Sequence, residues 1–217
     1  MLIPVRTLPA PMLATAGRPP GSLADWTVEA KVDGWRVLVG VDRSGTRVQT
    51  RRGRTLTAAI PEVAALEDLG VALVLDGEVI VGDGRPAEFY RLAGALSTHH
   101  PTFESTPCFV AFDLLHFDGH DLMGRPQHER RQLLEHLAHL QPAHTLPIVP
   151  SYAGVDLDDV LSCCEHHQLE GVVLKHQQAT YRPGSRSTDW RKIKCAGWAG
   201  HRARRFTSSD REPARAL

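Results

Sequence analysis

Glu29-Ala30-Lys31-Val32-Asp33-Gly34-Trp35-Arg36 places two charged side chains at the end of one strand-like run, Trp26 to Asp33, and joins it through Gly34 to a second, Trp35 to Asp42. Side chains two apart on a strand share a face, so Lys31 and Asp33 are expected to point together. Downstream, Ser44-Gly45 reads as a turn into Thr46 to Arg51, which makes an antiparallel meander. Val71 to Val81 is a strong strand broken by Gly82-Asp83-Gly84, and a short helix is expected over Glu88 to Leu96. Phe109 to Phe117 reads as a buried strand that ends at Asp118-Gly119, and its apolar surroundings make Asp113 conspicuous.

Thr57 is placed to cap a short helix with Pro61 in its first turn and Val63, Leu66 and Leu69 at helical spacing. Pro126 through Leu140 reads as a helix with Leu133, Leu134 and Leu137 on one side and Glu129, Arg130 and Arg131 toward water. Ile148 to Tyr152, a helix over Asp156 to His167, and late strands at Gly171 to Lys175 and Trp190 to Lys194 complete the pattern. A polar loop containing Pro183-Gly184-Ser185 links the late strands. The first 22 residues carry five prolines and read as an extended lead-in over the domain surface, with regular structure starting near Asp25. The expected fold is α/β with α+β character, of mainly antiparallel sheets flanked by helices.

The 217 residues suffice for a core without staples. Lysines and arginines number 25 and acidic residues 25, so no whole-chain field points to a polyanion, and nucleic acid would be met by a local basic patch. Cys108, Cys163, Cys164 and Cys195 are too irregularly placed for a disulfide framework, which favours a reducing cytoplasm. No stretch approaches the length needed to span a bilayer, so no membrane partner is expected.

Asp76 and Glu78, and Lys192 and Lys194, repeat the spacing of Lys31 and Asp33, so three strand ends offer charged pairs to one cleft. Buried charge must be paired or bound to ions, and such a cleft makes sense around a triphosphate. A lysine attacks phosphorus only as the free amine, which requires desolvation or neighbouring cations; Lys192 and Lys194 are placed to supply them. Arg36, Lys175, Lys192 and Lys194 are candidates to stabilise charge on a transferring phosphoryl group.

Lys31-Val32-Asp33-Gly34-Trp35-Arg36 resembles the K-x-D-G-x-R signature of covalent nucleotidyltransferases, the superfamily of ATP-dependent DNA ligases, RNA ligases and mRNA capping enzymes. Five further segments resemble it in order: Thr50-Arg51-Arg52-Gly53, Leu75-Asp76-Gly77-Glu78, Ala111-Phe112-Asp113-Leu114-Leu115, Glu170-Gly171-Val172-Val173-Leu174-Lys175 and Trp190-Arg191-Lys192-Ile193-Lys194. The wording is most similar to bacterial ligases of the end-joining type, which places DNA ahead of RNA. The resemblance implies an ATP-grasp-like nucleotidyltransferase domain over residues 23–195, between the lead-in at 1–22 and a basic tail at 196–217.

It also implies roles. Lys31 takes AMP from ATP; Glu78 holds the ribose hydroxyls; Phe112 stacks on adenine. Glu29, Arg36, Arg51, Lys175, Lys192 and Lys194 complete the nucleotide and 5′-phosphate contacts, and Glu170 with Asp33 holds Mg²⁺ or Mn²⁺. The implied partner is nicked or broken duplex DNA. Residues 1–30 leave no room for the nicotinamide module of NAD-dependent ligases. Only 23 residues follow Lys194, among them Arg202, Arg204, Arg205, Arg211 and Arg215, too few for the OB-fold domain that such ligases carry there. An OB-fold or end-joining protein acting in trans is therefore an expected partner.

Blander readings stand beside these. Phe112 fits a core role, Asp113 fits a backbone-bonding role as well as a metal contact, and the charge pairs fit solvated faces of edge strands. Cys163-Cys164-Glu165-His166-His167 and His136/His139 invite a zinc reading, although adjacent cysteines fit zinc spacing poorly. An RNA ligase, a capping-type nucleotidyltransferase and a non-catalytic nucleotide- or nick-binding accessory protein remain alternatives.

Overall fold

The computed structural model describes residues 7–82, 107–140, 145–196 and 198. Ten strands carry the chain: β1 (Leu13–Ala16), β2 (Trp26–Ala30), β3 (Trp35–Asp42), β4 (Gly45–Thr50), β5 (Leu73–Ile80), β6 (Cys108–Phe117), β7 (His120–Asp121), β8 (Ser151–Ala153), β9 (Gly171–His176) and β10 (Arg186–Lys194). They form two five-stranded sheets, ordered β1-β10-β9-β2-β8 and β4-β3-β5-β6-β7. All pairings within the sheets are antiparallel except β1 with β10. The chain crosses between the sheets directly after Ala30, so Lys31 to Gly34 span the seam.

Apolar burial organises the layers. Helix α2 (Leu157–His166) seats Leu157, Val160 and Cys164 on Val28, Val172 and Leu174 of the first sheet. On the second sheet, Val39, Val48, Leu75 and Leu114 pack with Ile60, Val63 and Leu66 and with Leu134 and Leu137 of helix α1 (Gln127–His139). A third cluster, Leu8, Met12, Leu38, Val74, Leu115, Tyr181 and Trp190, fills the space between the sheets. Burying such side chains is worth about 1.5–3 kcal/mol each, so this cluster holds the cleft walls at fixed separation.

The strands and the two α-helices fall close to their expected places, but four readings change. Regular structure begins at Leu13, because β1 pairs with β10 and the lead-in contributes fully buried Met12 and Leu8 to the middle cluster. The segment after β4 is two 3₁₀ turns, Thr57–Ala59 and Pro61–Leu69; Thr57 caps nothing and accepts the Val48 amide instead. Arg130 and Arg131 of α1 face inward and are buried, while Leu133 is exposed. Their carboxylate partners, described below, lie on the sheets and offset the desolvation cost. Finally, β5 is the central strand of its sheet and β10 is flanked by β1 and β9, so neither charge pair lies on an edge strand.

The helix expected over Glu88 to Leu96 lies outside the described residues, as do the end of the Gly82-Asp83-Gly84 turn and most of the basic tail. No helix among the described residues is long and apolar enough to cross a membrane.

Candidate nucleotide-binding and catalytic site

A cavity opens between the sheets where their charged strand ends meet, and side chains from both line it. Lys31, Glu29, Lys175, Trp190 and Lys192 come from the first sheet or its margin; Arg36, Arg51, Glu78 and Phe112 come from the second. Asp33, Glu170 and Lys194 stand beside it through their contacts with Lys31 and with one another.

Lys31 Nζ lies 2.6 Å from Glu170 Oε2 and 3.8 Å from Asp33 Oδ1. Burial by itself pushes the ammonium's pKa down, but Glu170, Asp33 and Glu78 outweigh it and hold the lysine above its ordinary value. The expected cationic depression of Lys31 is therefore outweighed: Lys194 Nζ is turned to Glu170 Oε1 at 3.1 Å, and Glu170, Asp33 and Glu78 act on the nucleophile. Glu170, bonded to both lysines, is held below its usual carboxylate range despite its desolvation. The backbone fixes this geometry, since the Lys31 amide donates to Gly171 O at 2.8 Å and the Cys195 amide donates to Glu170 O at 3.1 Å.

Gly34 is a glycine for a steric reason. A Cβ there would run into the carbonyl oxygen of Val79 and approach Glu78 Cγ at 2.8 Å, so the chain can pass β5 at this distance only without a side chain. The same close passage brings Glu78 to within electrostatic reach of Lys31. Desolvation raises the Glu78 carboxyl to about 7, opposed by Lys31 and Arg36.

Arg36 is gripped by Asp76 through two bonds, Nε to Oδ1 at 3.0 Å and Nη2 to Oδ2 at 2.6 Å. Asp76 is fully buried and also accepts the Tyr181 hydroxyl at 2.6 Å, whose oxygen in turn accepts the Met12 amide at 2.9 Å. The pair Asp76/Glu78 thus divides: Glu78 lines the cavity, while Asp76 anchors the guanidinium. The carboxylate keeps Arg36 charged above its ordinary range against burial. That guanidinium lies over Phe112 at 5.1 Å and over Trp190 at 5.7 Å from the ring centroids.

Lys175 is almost wholly buried, with Nζ donating to Glu29 Oε2 at 2.7 Å and to Phe112 O at 3.0 Å, and it sits 4.7 Å from the centroids of both Phe112 and Trp190. Burial pushes Glu29 up and Lys175 down, against their mutual attraction. Arg131 reaches Glu29 from α1 at 3.6 Å. Phe112 is only half-buried and meets Trp190 edge-on, with centroids 6.1 Å apart, so its ring belongs to both the core and the cavity wall. Asp113 is a structural anion: both of its oxygens take Arg130 at 2.8 Å, and Oδ1 also accepts the Leu114 amide.

The structure brings every proposed site residue to the cavity, to Lys31 or, for Lys194, to Glu170 beside it. The sequence reading missed Trp190 and Arg186, which also line it. Trp190 falls within the last motif segment, where the resemblance attaches no role to it, and Arg186 falls in what reads as the preceding loop, whereas β10 begins with it. Among the described residues no group of three or more His, Cys, Asp or Glu is set to hold a metal.

A family model described as the ATP dependent DNA ligase domain matches residues 11–194. The multifunctional non-homologous end joining protein LigD of Mycobacterium bovis is 38% identical over 188 residues, which cover 85% of this chain and 24% of that protein. A DNA ligase of Natronomonas pharaonis is 36% identical over 198 residues, covering 84% of this chain and 35% of the relative. A solved mycobacterial DNA ligase D complexed with ATP and MES superposes with a TM-score of 0.72 at 35% identity, over 86% of this chain and 60% of that one. The Mycobacterium tuberculosis LigD ligase domain does so equally, with a TM-score of 0.72 at 37% identity. The chain thus spans about a quarter to a third of the curated relatives' lengths.

Proposed function

Since the chain belongs to the ATP-dependent DNA ligase domain family, we propose that it is a ligase catalytic domain in which Lys31 becomes covalently adenylated and the AMP is used to seal DNA. Lys31 Nζ attacks the α-phosphorus of ATP; the N–P bond forms as the P–O bond to pyrophosphate breaks. AMP passes from Lys31 to a 5′-phosphate of nicked or broken duplex DNA, and the 3′-hydroxyl then displaces AMP to close the strand. The observation that carries this reading is the convergence of Lys31, Glu170 and Asp33 on a cavity that also presents an aromatic wall and cations from both sheets.

Glu78 takes the ribose hydroxyls and Phe112 the adenine face. Lys192, Arg51 and Arg36 face phosphate oxygens, and Glu29 with Lys175 shapes the base end of the cavity. Glu170 and Asp33 offer two hard carboxylates beside Lys31, a donor set that suits Mg²⁺ or Mn²⁺ completed by phosphate and water oxygens. A divalent cation held there supplies positive charge that lowers the lysine's proton affinity and offsets charge on the transferring phosphate. The protein acts in the cytoplasm on DNA ends, in repair or end joining, and an end-joining protein is its expected partner.

Incubation with α-labelled ATP, GTP or NAD and Mg²⁺ tests the first step. Label from ATP should survive denaturation and be lost in Lys31→Ala; preferential label from GTP or NAD would point to a capping-type or NAD-dependent enzyme. Adding nicked DNA, then nicked RNA, to labelled protein tests transfer and its strand preference.

A further inference from the structure

Helix α2 and the end of β10 meet outside the cavity, and each brings a cysteine to the meeting. Leu161, Cys164 and Glu165 share one face of α2, at the spacing that makes helical residues neighbours. The residues that follow β10 dock on that face: the Cys195 thiol lies 3.9 Å from the Leu161 carbonyl oxygen, and the Ala196 amide donates to Glu165 Oε1 at 2.8 Å. Cys164 therefore stands between the anchor points of Cys195 and Ala196, and both thiols belong to the apolar cluster that holds Val172 and Leu174. Both are buried; desolvation chiefly, and then the neighbouring Cys195, push the Cys164 thiol up to about 11. Cys163, one position back in α2, is exposed instead.

Backbone bonds tie the pair to Glu170. The Leu169 amide donates to the Cys164 carbonyl at 2.8 Å, and the Cys195 amide donates to the Glu170 carbonyl at 3.1 Å, so the two cysteines hold two consecutive residues. Glu170 is the carboxylate that bonds Lys31 and Lys194, and Lys194 directly precedes Cys195. A disulfide requires a Cα–Cα separation of about 4.4–6.8 Å and a fixed torsion about its sulfurs. Meeting those demands here draws the end of β10 onto the last turns of α2, and Glu170 and Lys194 shift with the backbone that carries them.

We propose that Cys164 and Cys195 form a reversible disulfide under peroxide, and that this bond switches off the site by displacing Glu170 from Lys31. The bond depends on the thiols alone; its effect on adenylation rests on the ligase reading above. Hydrogen peroxide oxidises the Cys195 thiol to a sulfenic acid and releases one water; the Cys164 sulfur then attacks, the S–S bond forms as the S–O bond breaks, and a second water leaves. The two thiols give up two electrons in all, which the peroxide O–O bond takes, and a dithiol returns them by exchange. Burial keeps both thiols protonated, so the pair stays reduced at low oxidant and closes when peroxide is abundant.

The full chain is treated with hydrogen peroxide, its remaining thiols are alkylated, and its peptides are weighed. A peptide pair joined through Cys164 and Cys195 should appear in monomeric protein, persist in Cys163→Ser, be absent from Cys164→Ala and Cys195→Ala, and be lost on treatment with dithiothreitol. Labelling by α-labelled ATP should fall about tenfold or more in the oxidised wild type, as displacement of a positioned group does. It should return with dithiothreitol and stay unchanged in peroxide-treated Cys195→Ala. Oxidation confined to Cys163, or links only between chains, overturns the disulfide; a Cys164–Cys195 link that leaves labelling unaltered overturns the switch. The link is read by mass, so a reduced wild type that ATP never labels overturns the ligase reading and leaves the disulfide to be decided by its own peptide.

Discussion

Glu170 holds the proposed nucleophile and its neighbouring cation at once, with Oε2 at 2.6 Å from Lys31 Nζ and Oε1 at 3.1 Å from Lys194 Nζ. One carboxylate thereby bridges two ammonium groups and raises the proton affinity of Lys31. In Glu170→Gln the attraction is lost, the Lys31 pKa should fall, and the two lysines should separate. Because Glu170 is also the proposed metal holder, labelling by ATP should drop by about 100-fold, the size of effect seen when one electrostatic stabiliser is removed. Lysine-selective modification at fixed pH is the second readout: Lys31 should react faster in the variant. Unchanged labelling would contradict the role given to Glu170.

Glu78 gives the site a pH dependence of defined sign. Desolvation raises its carboxyl from the ordinary value to about 7. The folded pKa exceeds the unfolded one, so the neutral form is favoured on folding, and that advantage is fully present below the unfolded value and lost as pH rises through about 7. Ribose hydroxyls donate better to the carboxylate, so ATP affinity should rise between pH 6 and pH 8 and flatten in Glu78→Gln. The glutamine variant should also melt higher than wild type at pH 8 and equally at pH 4, by calorimetry. A flat affinity profile in the wild type would remove Glu78 from the ribose.

Gly34→Ala tests the passage between the sheets. The added methyl meets the Val79 carbonyl and the side chains of Glu78 and Ile80, the latter at 2.9 Å, so β5 must yield. Overpacking of this kind costs about 1–3 kcal/mol, and here it also displaces Glu78 from Lys31. Denaturant titration should show the loss of stability, and ATP labelling should fall further than stability alone accounts for.

The motif residues were legible because the chemistry needs particular side chains at spacings that two strand ends impose, and six such segments recur in order. What they rest on was not. Helical periodicity in α1 marked the leucines and sent the charges outward, but α1 lies over the seam where Asp113 and Glu29 wait, so Arg130 and Arg131 turn in and Leu133 turns out. β1, which starts just after Met12, gave no strand signal because it forms by pairing with β10, far along the chain. Arg186 was hidden by a strand that begins four residues before Trp190 (190 − 186), inside what the polar composition read as loop. In each case the deciding partner is distant in sequence, and local pattern carries no information about it.

Tyr181→Phe isolates the support beneath Arg36. The hydroxyl donates to Asp76 and accepts the Met12 amide, so its removal leaves a buried amide without a partner and one carboxylate oxygen with less. The cost should be about 1–3 kcal/mol by denaturant titration. The two Arg36–Asp76 bonds remain, so labelling of the folded protein should fall by less than tenfold; a collapse of labelling would mean that Tyr181 reaches the nucleotide itself.

Arg130 and Asp113 form the most deeply buried ion pair among the described residues, with side chains 0% and 2% exposed. Removing one partner strands a charge, so Arg130→Met and Asp113→Leu should each cost about 3–5 kcal/mol. The double variant removes both charges, and an apolar pair of similar volume can be neutral elsewhere. Here it cannot be fully so. Arg130 Nη1 also donates to the carbonyls of Arg125 and Ala179, and Asp113 Oδ1 accepts the Leu114 amide, so three backbone groups lose a partner whichever apolar residues are chosen. The double-mutant cycle should therefore show a large favourable coupling with a residual destabilisation of about 1–3 kcal/mol. Full additivity of the single variants would mean that the pair is not coupled and that α1 is held to β6 by its leucines alone.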